Sequence, residues 1–219
     1  MKKEINHIKA NNLKGIWQSV DEFIRKAGPY VPFYVSNTIF RSLDKGGRSI
    51  LDVGCGYGEP MKIMPLNKYK FYTVGADIFK PYLKEAKENK THDEYVLCDA
   101  RKLPFKENSF DIVLCMEMIE HLEKEEGMKL IEEIEKIARK QVIITTPVGF
   151  WPDPGRDGNP HQIHRSGYLP YEFKSLGYDV KGTGVNIKFK HLLFLQKIVR
   201  RILRILLNLF ITSLIWENV

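Results

Sequence analysis

Five short, continuously apolar runs mark the middle of the chain: 49–54 (SILDVG), 71–77 (FYTVGAD), 94–99 (EYVLCD), 110–116 (FDIVLCM) and 141–147 (QVIITTP). Between them, 59–64, 80–89 and 123–139 space their apolar residues at helical intervals. In the last of these, Leu130, Ile131, Ile134, Ile137 and Ala138 share one face, with acids and lysines opposite. Continuous apolar strands alternating with amphipathic helices predict an α/β chain, a mostly parallel sheet covered on both faces. Upstream, Ile16, Val20, Phe23 and Ile24 precede a break at Gly28–Pro29, and a second apolar stretch runs from Val35 to Leu43. These predict an N-terminal helical cap over 1–47. Downstream, 178–189 (YDVKGTGVNIKF) reads as an antiparallel hairpin at the sheet edge, closing a body over 48–189. In 190–219, Lys197, Arg200, Arg201, Arg204, Asn208 and Thr212 form one polar stripe on an otherwise apolar helix.

The 219 residues suit one domain of ordinary size. Charge changes the picture only at the end of the chain. Of the net +7, residues 186–219 hold +5, six Lys and Arg against Glu217 alone, so the body is nearly neutral. That weighs against general nucleic-acid binding and for a local role of the tail. The apolar part after Arg204 is too short to span a bilayer. A basic stripe beside a wide apolar face fits a helix lying in a membrane interface; packing on the domain or on a second subunit is the alternative. The sequence does not fix the oligomeric state. Residues 2–15 are polar, so no signal peptide is expected. Cys55, Cys98 and Cys115 sit in or beside apolar runs with no C-x-x-C pair, as expected of reduced, buried thiols in a cytoplasmic protein.

The candidate chemistry starts where the first strand ends. In "DVGCGYG", Gly54, Cys55, Gly56, Tyr57 and Gly58 form a loop leading into a helix. Open α/β sheets bind ligands beyond the carboxyl ends of their strands. Asp77 closes the second strand, where a carboxylate can accept both hydroxyls of a ribose. Asp99 closes the third, placed to take an adenine amino group, with the Ala100 N–H beside it for a ring nitrogen. Each acid alone could be a turn residue or an N-cap. Three consecutive strand ends of this kind point to a nucleotide-bearing cofactor.

At these residues the chain resembles the class I S-adenosylmethionine-dependent methyltransferases, in particular the small single-domain group with the quinone and lipid-precursor enzymes. The likeness covers about residues 48–185 and rests on "LDVGCGYG", "GADI", "CDARKLPFKENSFDIVLCMEMIEHL" and "VIITTPV". It implies a Rossmann-like, doubly wound fold and S-adenosylmethionine as cofactor. It further implies that Gly54, Gly56 and Gly58 admit the methionine and ribose portions, and that Asp52 orients the methionine ammonium. Asp77 would hold the ribose, Ile78 would lie against the adenine, Asp99 and Ala100 would read its edge, and Met116 would offer backbone to the ammonium.

Methyl transfer from a sulfonium needs an aligned nucleophile and, for some acceptors, a base. In "EMIEHL", an opening helix would put Glu117 one turn from Glu120 and His121. His161 and His164 follow the fifth strand in "NPHQIHRSGYLPYEF". Glu117, Glu120, His121 and His164 resemble the magnesium-class metal site of small-RNA terminal 2′-O-methyltransferases, and a related motif occurs in ubiquinone-biosynthesis O-methyltransferases. The alternative is a structural Glu120–His121 pair. His121 and His164 are the candidate catalytic residues. The Pro/Gly-rich loop 149–160 fits a substrate lid, with Trp151 as a further pocket residue. The resulting expectation is O-methylation of a small or lipid-linked acceptor, with peripheral membrane contact through the tail. The rivals are an RNA terminal 2′-O-methyltransferase and a non-catalytic protein keeping the cofactor fold.

Overall fold

The computed structural model describes residues 35–182 apart from Pro65 and Arg156. The cap residues before 35 and the C-terminal helix over 190–219 lie outside the described residues. The elements are α1 (Val35–Ser42), β1 (Ser49–Val53), α2 (Glu59–Ile63), β2 (Tyr72–Asp77), α3 (Lys80–Glu88), β3 (Glu94–Leu97), β4 (Phe110–Met116), α4 (Lys124–Ile137), β5 (Ala138–Thr145) and α5 (Pro170–Ser175). Short 3-10 turns lie at Leu66–Tyr69, Ala100–Lys102, Ile119–His121 and Pro160–Gln162.

The five strands form one parallel sheet in the order β3-β2-β1-β4-β5. This is the Rossmann-like arrangement that the strand and helix alternation predicts. The chain order reverses between β1 and β4, so the adjacent loops splay apart there and leave a crevice. Strand alternation divides the core in two. Leu51, Val53, Val113 and Cys115 face Leu130, Ile134 and Ile137 of α4. Ile50, Ile112, Leu114 and Met116 face Ile39 and Leu43 on the α1 side, together with Met61 of α2. Both faces of β1 and β4 are therefore covered, which is why these strands read as unbroken apolar runs.

Helix starts follow local chemistry. Pro60 and Pro81 stand in the first turns of α2 and α3, where a missing N–H costs nothing. Glu123 and Glu126 close a capping box at the start of α4. That helix then passes straight into β5 at Ala138, whose ψ of 134° is already extended. The strand expected at 141–147 thus begins three residues early. Residues 178–182, expected to open the edge hairpin, carry no strand; 183–189 lie outside the described residues. Among the described residues no helix is long and apolar enough to cross a membrane.

Candidate active site

A cleft of about 320 Å³ opens at the carboxyl ends of the strands, a size suited to a small cofactor. Its floor is made of Val53 and Gly54 at the end of β1, Ala76 to Ile78 at the end of β2, and Cys98 to Ala100 after β3. Five expected cofactor residues are therefore brought together: Gly54, Asp77, Ile78, Asp99 and Ala100. The Asp77 carboxylate accepts the Gly56 N–H at 2.8 Å and the Phe79 N–H at 2.7 Å. Burial raises its carboxyl group above the ordinary range, and these two N–H groups oppose that rise. Two of about four lone-pair sites are used, which leaves acceptor capacity for ribose hydroxyls.

Asp99 caps the turn over Ala100–Lys102 by accepting the Arg101 N–H at 2.9 Å. The Arg101 guanidinium also forks onto it, Nη2 at 2.6 Å and Nε at 3.0 Å, and holds its carboxyl below the usual range. Nη1 of the same arginine reaches Glu126 of α4 at 3.3 Å. Arg101 thus ties the third strand end to α4, a role the sequence did not disclose.

Six expected cofactor residues stand away from the cleft lining. Asp52 shares the parity of Ile50, so its side chain points to the other face of the sheet. There it is 1% exposed and paired at 3.2 Å with Nε2 of His92, itself fully buried in its side chain. Cys55 is buried, and burial pushes its thiol strongly up. Tyr57 is exposed and packs edge-on against Tyr82 at 5.5 Å. Gly56 serves through its N–H to Asp77. Gly58 caps α2 at φ 77°, and a Cβ there would meet Thr91 Oγ1 at 2.2 Å. The packing around it thus already requires glycine. Gly54, at φ 71°, does line the cleft, and a Cβ on it would meet Met118 Cγ at 2.2 Å. Met116 is a buried core residue, and Glu117 and Met118 line the cleft in its place.

The fourth wall comes from the segment after β4. No helix opens at Glu117; it is exposed with φ 48°, followed by the 3-10 turn Ile119–His121. Glu117 therefore does not share a face with Glu120 and His121. One ligand atom each from Glu120, His121 and His164 lies within 4.8 Å of the others. The two imidazole rings stand 4.8 Å apart, near-perpendicular. His164 Nδ1 is 2.6 Å from the Trp151 carbonyl, and His121 Nδ1 is 3.4 Å from that of Ile163. A carbonyl only accepts, so these contacts place the hydrogen on both Nδ1 atoms. Burial, then His164, lowers the His121 pKa and favours the neutral ring. Glu120 is 2% exposed with Oε2 unpartnered, and burial pushes its carboxyl up to about 7. Two imidazole nitrogens and one carboxylate suit a zinc- or manganese-like ion. They are a poor match for magnesium, which prefers oxygen ligands.

Residues 51–145 match the family described as methyltransferase domain. Over this stretch, less than half of its length, the chain is similar to methyltransferases. The human "Probable tRNA methyltransferase 9B" is 29% identical over 99 residues, 45% of this chain and 20% of that protein. The "Ubiquinone biosynthesis O-methyltransferase" of Bartonella bacilliformis is 29% identical over 120 residues, 48% of each chain. The YcgJ protein of Bacillus subtilis, 19% identical over 64% of both chains with a TM-score of 0.50, is alike in fold. This chain spans half or less of the length of these two curated relatives. The methyltransferase domain ends at β5, so the segment carrying His161 and His164 lies beyond the matched region.

Proposed function

We propose that this protein transfers a methyl group from S-adenosylmethionine to an oxygen of a small or lipid-linked acceptor. The observation that carries the reading is the joint lining of one cleft by Gly54, Asp77, Ile78, Asp99 and Ala100. In the reaction, a lone pair on the acceptor oxygen forms the new bond to the methyl carbon as the carbon–sulfur bond breaks. The positive sulfonium becomes a neutral thioether, and the acceptor proton must leave. A base role for His121 is supported by its place in the cleft and by the burial that lowers its pKa and favours the neutral ring, the form that takes up a proton. His164 would orient it.

The sequence also raised a bound metal ion. Glu120, His121 and His164 would hold it, with the unpartnered buried Oε2 of Glu120 as the feature that favours one. Such an ion would supply a positive charge near the acceptor oxygen. With that ion in place, RNA 2′-O-methylation is the second reading; the similarity to a relative named as a tRNA methyltransferase supports it.

Incubation with S-adenosyl[methyl-³H]methionine and separate lipid, quinol and RNA fractions tests these readings together. Label entering the organic-soluble fraction supports the first, and label in RNA the second. Glu120→Gln and chelator treatment should abolish transfer only if the ion is required. No label in any fraction, with the cofactor shown to bind, would favour the non-catalytic alternative. Vesicle sedimentation of the chain with and without residues 190–219 tests the proposed membrane contact.

A further inference from the structure

The chain leaving β5 makes a long excursion before it reaches α5. Gly149 N–H donates to Tyr168 O at 2.7 Å, closing the base of this excursion. Pro154 bridges to Ile163 further out. Its tip crosses to α3, where Tyr82 Oη donates to Asp157 Oδ2 at 2.8 Å. β5 and β3 are the outer strands of the described sheet, and α3 connects β2 to β3. A segment that leaves β5 and touches α3 must therefore pass over the carboxyl ends of β4 and β1. It passes over the cleft.

Three observations show that this crossing is built. Asn159 is 5% exposed, and its Oδ1 accepts the His161 N–H at 2.9 Å, fixing the turn Pro160–Gln162. The Arg165 and Ser166 N–H groups both donate to Glu120 O, at 2.8 and 3.1 Å. Asn159, His161, Gln162 and Arg165 line the same cleft as Asp77 and Asp99.

Resting on the cofactor reading above, we propose that 157–165 form the outer wall of the cofactor site. His161 contacts the adenosine portion from the side opposite the strand ends, and Tyr82 is the latch that holds the wall shut. An imidazole suits this place because it can donate to or accept from a ribose hydroxyl and can also lie against an adenine face. His161 is near enough for a charge on its ring to act on both Asp77 and Asp99. Cofactor exchange then requires 157–165 to lift.

Calorimetry with S-adenosylhomocysteine and with 5′-methylthioadenosine, which lacks the amino-acid arm, tests the contact. His161→Ala should weaken both ligands alike, by roughly tenfold, the equivalent of one lost hydrogen bond. His161→Gln, which keeps a donor and an acceptor, should restore most of that loss and serves if the alanine variant does not fold. Unchanged affinity for both ligands overturns the contact, as does a loss confined to S-adenosylhomocysteine. Tyr82→Phe keeps the ring contacts to Phe79 and Tyr57 and removes only the latch oxygen. It should release S-adenosylhomocysteine several-fold faster in stopped flow with little change in melting temperature; an unchanged release rate overturns the latch. Wild-type protein that binds neither ligand overturns the cofactor reading itself, whereas wild-type binding with silent variants overturns only this inference.

Discussion

Asp77 holds two parts of the site at once, so its removal has two separable effects. Asp77→Ala deletes a carboxylate that accepts Gly56 N–H and Phe79 N–H at 2.8 and 2.7 Å. A hydrogen bond to a charged group contributes about 1.5–3 kcal/mol. The desolvation that raises this carboxyl offsets part of that sum, and water can reach the partly buried site. The net stability loss should be about 2–3 kcal/mol, below the roughly 3–6 kcal/mol that two such bonds would give without that offset. Ribose hydroxyls on the same carboxylate would add a binding loss of roughly ten- to hundredfold per bond. Asp77→Asn keeps one oxygen acceptor and should fall between the two. Urea denaturation reads the first effect and calorimetry with S-adenosylhomocysteine the second. Wild-type affinity in folded Asp77→Ala would refute the ribose assignment, leaving Asp77 only as a strut for the glycine loop.

Gly58→Ala should destabilise by about 2–4 kcal/mol, because it combines a left-handed backbone with a Cβ driven into Thr91; equilibrium denaturation checks it, and folded protein should still bind cofactor. Gly127→Ala should also destabilise, by about 1–3 kcal/mol despite alanine's better helix propensity, since the new Cβ would lie 2.0 Å from Tyr168 Oη. Tyr168→Phe in the same chain should restore most of that loss, and an additive double mutant would contradict the clash. Asp111 is held below the usual carboxylate range, first by the Arg48 N–H at 2.6 Å and then by Arg139. Its stabilising contribution is present above the ordinary carboxylate pKa of about 3.9 and is lost as pH falls through the lower folded value. Asp111→Asn should therefore flatten acid unfolding below about pH 4, and an unchanged acid limb would contradict this.

Four of the five strands and the helices α1 to α4 were legible within a residue or two, because a sheet buried on both faces forces continuous apolar runs and helices that cover it repeat theirs at helical spacing. The start of β5 was not, since Ala138, Arg139 and Lys140 read as the end of an amphipathic helix until the backbone turns extended at Ala138. α5 escaped because Pro170–Ser175 is under two turns long and packs on the core through Phe173 alone, with no fully buried residue. At the site, Asp77 and Asp99 were readable because strand ends dictate where ligands lie. The sheet face of Asp52 was readable too: its parity with Ile50 puts it on the opposite face from Val53. Its partner His92 comes from the loop between α3 and β3, and no local pattern joins the two. The helix expected to open at Glu117 is instead a left-handed residue followed by a 3-10 turn. Arg101 and Asn159 act through chain segments that meet only in the folded protein.

The account turns on where the cofactor sits. A crystal structure with S-adenosylhomocysteine tests it most directly. The expected complex has the ribose hydroxyls on Asp77, the adenine edge at Asp99 and Ala100, His161 over the adenosine, and the sulfur on the side of His121 and His164. A ligand bound outside this cleft, or a cleft still empty at saturating concentration, would contradict it.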